Sequence, residues 1–304
     1  MKIGMHIPLP GDGNTAAFAR KAEACGLDYV SCGEHVLFAT PTPSAFVSLA
    51  VAAAVTTRIG VLSSIVLLPL YPAAIVAKMA AVLDVESGGR FSLGIGAGGD
   101  YPKEFEACGV PMTERSSRTD EALEVVRALW TGKPVTFEGR HNRLSDVILN
   151  PVPQQRPGVP IWVAGRKERA KRRAARFGDY WFPYMYTPDM LSNSLLSIRE
   201  YALEAGRPAN SVKGAMFLYL TSYPDSEYAR KVAVETVGGI YSQNFDSLAG
   251  RYLVYGNPAD CRRRLREYRD AGADAFIFLL ACPPGDVLPM LERCSEDIFP
   301  EFRS

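Results

Sequence analysis

Eight times along these 304 residues a short apolar run gives way to a stretch with helical spacing, and this alternation constrains the fold more than any single motif. The strand-like runs are 2–7 (KIGMHI), 28–32 (DYVSC), 59–67 (IGVLSSIVL), 91–96 (FSLGIG), 161–164, 180–183, 214–221 and 275–281. The helical stretches begin with one that Asn14 can cap and Gly26 stops. Others cover 44–55, a segment opened by Tyr71-Pro72 and closed near Ser87-Gly88-Gly89, then 119–130, the basic run after Gly165, 189–205, 225–237, 258–271 and 285–298. Strands separated by helices pair in parallel through right-handed crossovers. Eight such units in a chain of this length fit a closed (β/α)8 barrel better than an open sheet, with insertions after strands four and seven. The polar, proline-containing segment 133–157 breaks the rhythm and reads as a hairpin around Glu138-Gly139. No repeat or linker divides the chain, so one domain over 1–304 is expected.

Composition removes several function classes. The formal net charge is +1, which does not suit a general nucleic-acid binder. Six cysteines include no C-x-x-C pair and three histidines are scattered, so neither a zinc ribbon nor a histidine-rich metal site is indicated, and no metal is expected. The apolar run 47–55 (VSLAVAAAV) is too short to span a bilayer. No basic segment followed by an apolar one opens the chain. A cytoplasmic protein with buried free thiols and no membrane partner is expected.

In a barrel, chemistry gathers where strands end at their carboxyl side. Those ends are His6-Ile7-Pro8, Gly33-Glu34-His35, Ser63-Ser64-Ile65, Gly96-Ala97-Gly98-Gly99, Gly165-Arg166, Phe182-Pro183, Leu220-Thr221 and Leu280-Ala281. Glu34-His35 joins a carboxylate to the side chain that titrates nearest neutrality, which suits acid–base work as well as it suits a structural bond to a loop. Gly165 feeds a helix start, where free N–H groups and the helix dipole favour an anion; Arg166, Lys167 and Arg169 add charge there. The later residues Lys171, Arg172, Arg173 and Arg176 read as a solvated face. LGIGAGGD (93–100) imitates a dinucleotide fingerprint, which needs its final Gly inside a helix, but Asp100-Tyr101-Pro102 follows and Pro102 interrupts any immediate helix. Its glycines read as letting backbone approach a flat ring. Ser63 to Val66 lacks a nucleophile motif.

Five stretches carry a resemblance as a set: AEACGLDYVSCGEHV, the block from Thr56 to Gly99, RTDEALEVVRALWTGKPVTFEGRHNRL, PIWVAGRKERAKRRAARFGDYWFP and GNPADCRRRLREYRDAGAD. The chain resembles the bacterial luciferase-like flavin and deazaflavin oxidoreductases over nearly its whole length. The resemblance implies a reduced flavin or the deazaflavin coenzyme F420 at the barrel mouth, and a cis peptide at Ser64–Ile65 beneath the cofactor's central ring. It implies that the Glu34-His35 pair is catalytic, with His35 as proton donor or acceptor. It also implies that Ala97 and Gly98 contact the cofactor and that Gly165, Arg166, Lys167, Arg169 and Ala170 hold its phosphate. Small residues are usual at 166 and 167; the cations here suit a longer anionic tail such as poly-glutamate. Gly99 stands where some relatives carry an acid, which leaves a second catalytic acid without a position.

The expected function is a coenzyme F420-dependent oxidoreductase that passes a hydride between the deazaflavin and a small organic molecule. The alternatives are a monooxygenase using reduced FMN, and a non-catalytic flavin-binding protein. A Schiff-base lyase is disfavoured because no lysine closes a strand. Leu37, Phe38, Tyr101, Tyr184, Tyr186 and the 239–256 loop are the candidates for shaping the substrate site. A homodimer is the assembly that the resemblance implies.

Overall fold

The structure, a computed structural model, describes residues 1–8, 15–38 and 40–303. In chain order, β1 (Lys2–His6) is followed by α1 (Thr15–Ala24), β2 (Tyr29–Cys32), α2 (Ala45–Ala54), β3 (Gly60–Ser63), β4 (Val66–Leu67), α3 (Ala73–Glu86) and β5 (Phe91–Gly96). Next come α4 (Pro102–Ala107), α5 (Arg115–Leu129), β6 (Val135–Glu138), β7 (Arg143–Val147), β8 (Ile161–Val163), α6 (Glu168–Phe177), β9 (Tyr180–Trp181) and α7 (Pro188–Glu204). The chain ends with β10 (Lys213–Ser222), α8 (Ser226–Tyr241), α9 (Ala249–Tyr252), β11 (Val254–Gly256), α10 (Pro258–Asp270), β12 (Ala273–Leu280) and α11 (Val287–Asp297). The expected cap at Asn14 lies outside the described residues.

Parallel pairing runs from β1 through β2, β3, β5, β8, β9, β10 and β12 back to β1, so the sheet closes. The third stave is β3 and β4 in succession, both paired to β5. This is the eight-stave barrel with alternating helices that the sequence pattern implies. The insertion after the fourth stave carries α4, α5 and the antiparallel pair β6–β7. The insertion after the seventh carries α8, α9 and β11.

Period-two alternation sorts each stave into an outer and an inner row. Ile3 and Met5, or Leu93 and Ile95, are fully buried in the main hydrophobic cluster between staves and helices. The inner row holds rings: Trp162 stacks on Tyr180 at 4.0 Å and meets Tyr29 edge-on at 5.4 Å. Nearer the carboxyl mouth, Phe217 touches both His6 and Phe182. The barrel is therefore a filled core with a floor of aromatic side chains under its mouth.

Two expectations differ. Pro102 does not interrupt a helix; it opens α4, because a proline in the first helical position lacks only an N–H that would have no intrahelical acceptor. The helix expected from Thr119 begins at Arg115 instead.

Candidate functional site

The stave formed by β3 and β4 breaks at Ser64–Ile65, and that peptide bond is cis, as the resemblance implied. The neighbouring β5 is shaped to receive it. A Cβ on Gly94 would lie 1.9 Å from the Ser63 carbonyl oxygen, and one on Gly96 would lie 2.3 Å from Cδ1 of Ile65. These two glycines therefore make room for the third stave, which corrects the reading that all glycines of this run serve a flat ring. Ser63 Oγ exchanges hydrogen bonds with the Gly94 backbone. Among the described residues the buried Ser64 Oγ has no hydrogen-bond partner. Ala97 follows β5, and Gly98 and Gly99 both adopt left-handed φ (63° and 128°). A Cβ on Gly98 would crowd Leu67 and Phe105.

Glu34 and His35 leave β2 together but diverge. The buried Glu34 carboxylate accepts from the backbone N–H of Ala45 and of Leu67, each at 3.2 Å. It thus caps α2, whose own N-cap Ser44 makes no side-chain bond, and holds β4. Burial pushes its pKa up, partly offset by these N–H groups and by the Tyr71 hydroxyl. Among the described residues no hydrogen bond joins the Glu34 and His35 side chains, although the resemblance pairs them. Instead Glu104, on α4, brings a fully buried carboxylate to His35 Nδ1, 3.1 and 3.2 Å from its two oxygens. Glu104 also accepts from Val36 N–H. A carboxylate only accepts here, so Nδ1 carries the proton and Nε2 is left to exchange one. Phe38 stacks on the imidazole at 4.1 Å.

Sequence reading missed Glu104. It sits five residues beyond Gly99, where the absence of an acid was noted, and the overlooked signal was Pro102-x-Glu104, the first turn of a helix. His6, by contrast, is structural. Its Nδ1–H donates to the Ile7 carbonyl and its Nε2 accepts from Gly33 N–H, while burial lowers its pKa to about 4.

At the fifth stave, Gly165 (φ 141°) turns the chain so tightly that a Cβ would lie 2.5 Å from Ala170. Arg166 and Lys167 are exposed; Arg166 lies over the Tyr184 ring at 5.0 Å. Among the described residues neither has an acidic partner. The remaining cations are committed elsewhere. Arg169 and the buried Arg173 both hold Asp120 of α5, Lys171 pairs with Glu168, Arg172 with Glu204 and Arg176 with Glu124. Arg169 thus faces α5 rather than adding a free charge at the helix start. Arg115, on α5, brings its Nε within 3.2 Å of the place a Gly99 Cβ would occupy. One side of the mouth is accordingly rich in cations.

The adjoining side is aromatic. Tyr184 packs with Tyr219, Tyr241 and Phe245 in a cluster supplied by β10, α8 and the segment following it. The Tyr219 and Tyr241 hydroxyls are 2.7 Å apart. Phe38 and Tyr101 meet edge-on at 5.9 Å on the His35 side. Tyr186 is a correction: it is buried outside the barrel lumen, with its hydroxyl on Ser194 and the Arg166 carbonyl. Among the described residues no cluster of metal-ligating side chains occurs.

Known proteins share both the sequence pattern and the architecture. The chain is 36% identical over 167 residues to an uncharacterised protein of Mycobacterium tuberculosis, a match that spans 55% of this chain and 57% of that one. It is 29% identical to an F420-dependent glucose-6-phosphate dehydrogenase of Kineococcus radiotolerans, across 96% of this chain and 93% of the other. Among solved structures, a monooxygenase from Streptomyces bottropensis superposes with a TM-score of 0.87 at 26% identity, covering both chains fully. The family model described as luciferase-like monooxygenase matches residues 10–251. The chain belongs to the luciferase-like monooxygenase family.

Proposed function

We propose that this chain is a coenzyme F420-dependent oxidoreductase that exchanges a hydride between the deazaflavin and a small organic substrate. The observation that carries the reading is the His35–Glu104 pair at the barrel mouth, with Nδ1 bound to a buried carboxylate and Nε2 free. Several features fit the coenzyme. Ser64 Oγ is a buried polar atom in want of a partner, Gly98-Gly99 is a close-approach turn, and Gly165 leads into a helix start flanked by Arg166 and Lys167. When bound, the deazaflavin supplies the hydride-carrying carbon. Ser64–Ile65 would lie beneath its ring and Ala97 and Gly98 against its side chain, while Gly165 and the N–H groups near Ala170 would receive its phosphate. Arg166 and Lys167 face the anionic tail. Arg169 contributes through the helix it anchors to Asp120. His35 Nε2 takes or gives the proton on the substrate oxygen, and Glu104 fixes the imidazole's tautomer and angle. Glu34 supports the site through the backbone of Ala45 and Leu67.

Titration of the purified protein with F420 and with FMN, followed by fluorescence quenching, tests the cofactor. Tight F420 binding with no oxygen uptake is the expected result, and binding of neither would end the proposal. A monooxygenase using reduced FMN is the second reading, favoured by the whole-chain match to the Streptomyces monooxygenase. It is distinguished by oxygen consumption.

Two further parts belong to the same reading. The solvent side of α2 is Val47, Ala50, Val51 and Ala54, without a charge, and Ile75 of α3 continues it. An exposed apolar face of this kind suits a second copy of the chain, giving a homodimer. Six free cysteines, with Cys32, Cys261 and Cys282 pushed up to about 12 by burial, suit the reducing cytoplasm. No helix of the described residues is long and apolar enough to cross a membrane.

A further inference from the structure

We propose that the substrate is a neutral ring-bearing or branched alcohol or ketone, and that the Tyr219–Tyr241 hydroxyl pair selects it by hydrogen bonding to its oxygen-bearing part. This rests on the oxidoreductase reading and specifies its substrate class.

The first support is the uneven distribution of charge around the mouth. Arg166 and Lys167 stand at the fifth stave and Arg115 beside Gly99, while the cluster around Tyr219, Tyr241 and Phe245 is built of apolar and aromatic residues. An anionic substrate seated against the Tyr219–Tyr241 pair, on the side away from Arg166, would meet rings and the Asp100 carboxylate, which bonds to Tyr184. Burying an unpaired anion there costs several kcal/mol or more, so a phosphorylated sugar is disfavoured.

The second support is the bonding capacity of the pair. Burial pushes both phenols well above their ordinary pKa, so both stay protonated. Two linked hydroxyls hold two protons, of which one lies between them at 2.7 Å. The other proton has no acceptor among the described residues. A carbonyl or alcohol oxygen on the substrate satisfies it.

The third is placement. Ala215, Phe217 and Tyr219 alternate along the inner row of β10, with Tyr219 nearest the carboxyl end. Phe217 touches His6, and His6 accepts from Gly33, two residues before His35. The stave that carries Tyr219 and the one that ends at His35 stand three apart round the barrel, with β12 and β1 between them. A substrate between them meets a proton carrier on one flank and an orienting donor on the other.

The test uses the whole protein. Saturation-transfer NMR without cofactor compares cyclohexanone with glucose 6-phosphate, and steady-state kinetics with F420 compares cyclohexanol with glucose 6-phosphate. Tyr241→Phe and Tyr219→Phe are each expected to weaken cyclohexanone contact and to raise KM for cyclohexanol about tenfold, since one donor to a neutral acceptor is lost. Neither variant should change F420 quenching. Preference for glucose 6-phosphate in either assay, or unchanged KM and NMR contact in both variants, overturns the proposal. Absent F420 quenching in the unmodified protein strikes the cofactor reading alone, because the NMR comparison still decides the phenol wall.

Discussion

His35 and Glu104 lie 69 residues apart in sequence, yet Nδ1 of the imidazole meets the fully buried carboxylate at 3.1 Å. The pair sets apart the two ring nitrogens, one anchored and one available. His35→Ala is expected to lower turnover by about 10²–10⁴-fold while F420 still binds. Glu104→Gln keeps the shape but can present an amide N–H to Nδ1, reversing the tautomer, and should lose at least about tenfold. Steady-state kinetics beside a quenching titration separates the two effects. Full activity in His35→Ala would remove it from the chemistry.

Gly94→Ala should cost about 1–3 kcal/mol of stability and weaken cofactor binding, because its Cβ would collide with the Ser63 carbonyl. Gly285 has open space around it, so Gly285→Ala serves as the benign control. Urea denaturation of both variants decides the point.

Asp120 is the common partner of Arg169 and Arg173, and the Arg173 side chain is only 2% exposed. Asp120→Ala therefore strands a buried guanidinium and should cost roughly 3 kcal/mol. Arg169→Ala removes an exposed partner and should cost less than about 1 kcal/mol. Equal losses in chemical denaturation would contradict this division.

The buried His6 has its pKa lowered from 6.5 to about 4. Between those values the unfolded chain binds a proton that the folded chain refuses, so stability falls as pH drops through this window. The span corresponds to roughly 3 kcal/mol. Denaturation midpoints from pH 7 to pH 4.5 should decline more steeply for the unmodified protein than for His6→Gln. Glu34, whose pKa is raised by burial, works in the opposite direction and is common to both proteins.

Val51 is 42% exposed on the uncharged face of α2. Val51→Asp should convert a dimer to a monomer in light scattering, with little change in unfolding of the single chain. A monomeric unmodified protein would exclude the assembly.

The barrel was legible because period-two apolar runs and helical spacing each report a local preference, and eight repeats leave few topologies. The site was legible only in part. His35, the Ser64–Ile65 bond and the turn at Gly165 stand where strands end, so position alone marks them. Glu104 stands on a six-residue helix that the proline seemed to forbid, and its partner is 69 residues away. The different engagements of Glu34 and Arg169 depend on which backbone N–H or acid lies nearest, and no local pattern encodes that. Tyr186 looked like a mouth residue because it is aromatic and near a strand end, but the left-handed backbone at Met185 (φ 49°) breaks the alternation that Tyr180, Phe182 and Tyr184 share.

The uneven mouth has a consequence for how an elongated guest enters. With Arg166 and Lys167 gathered at the fifth stave, Arg166 beside the Tyr184 ring, a molecule negative at one end feels a torque before contact. It arrives already aligned, and the reversed entry is rejected by the field rather than by collision. Added salt should therefore slow capture more than it speeds release.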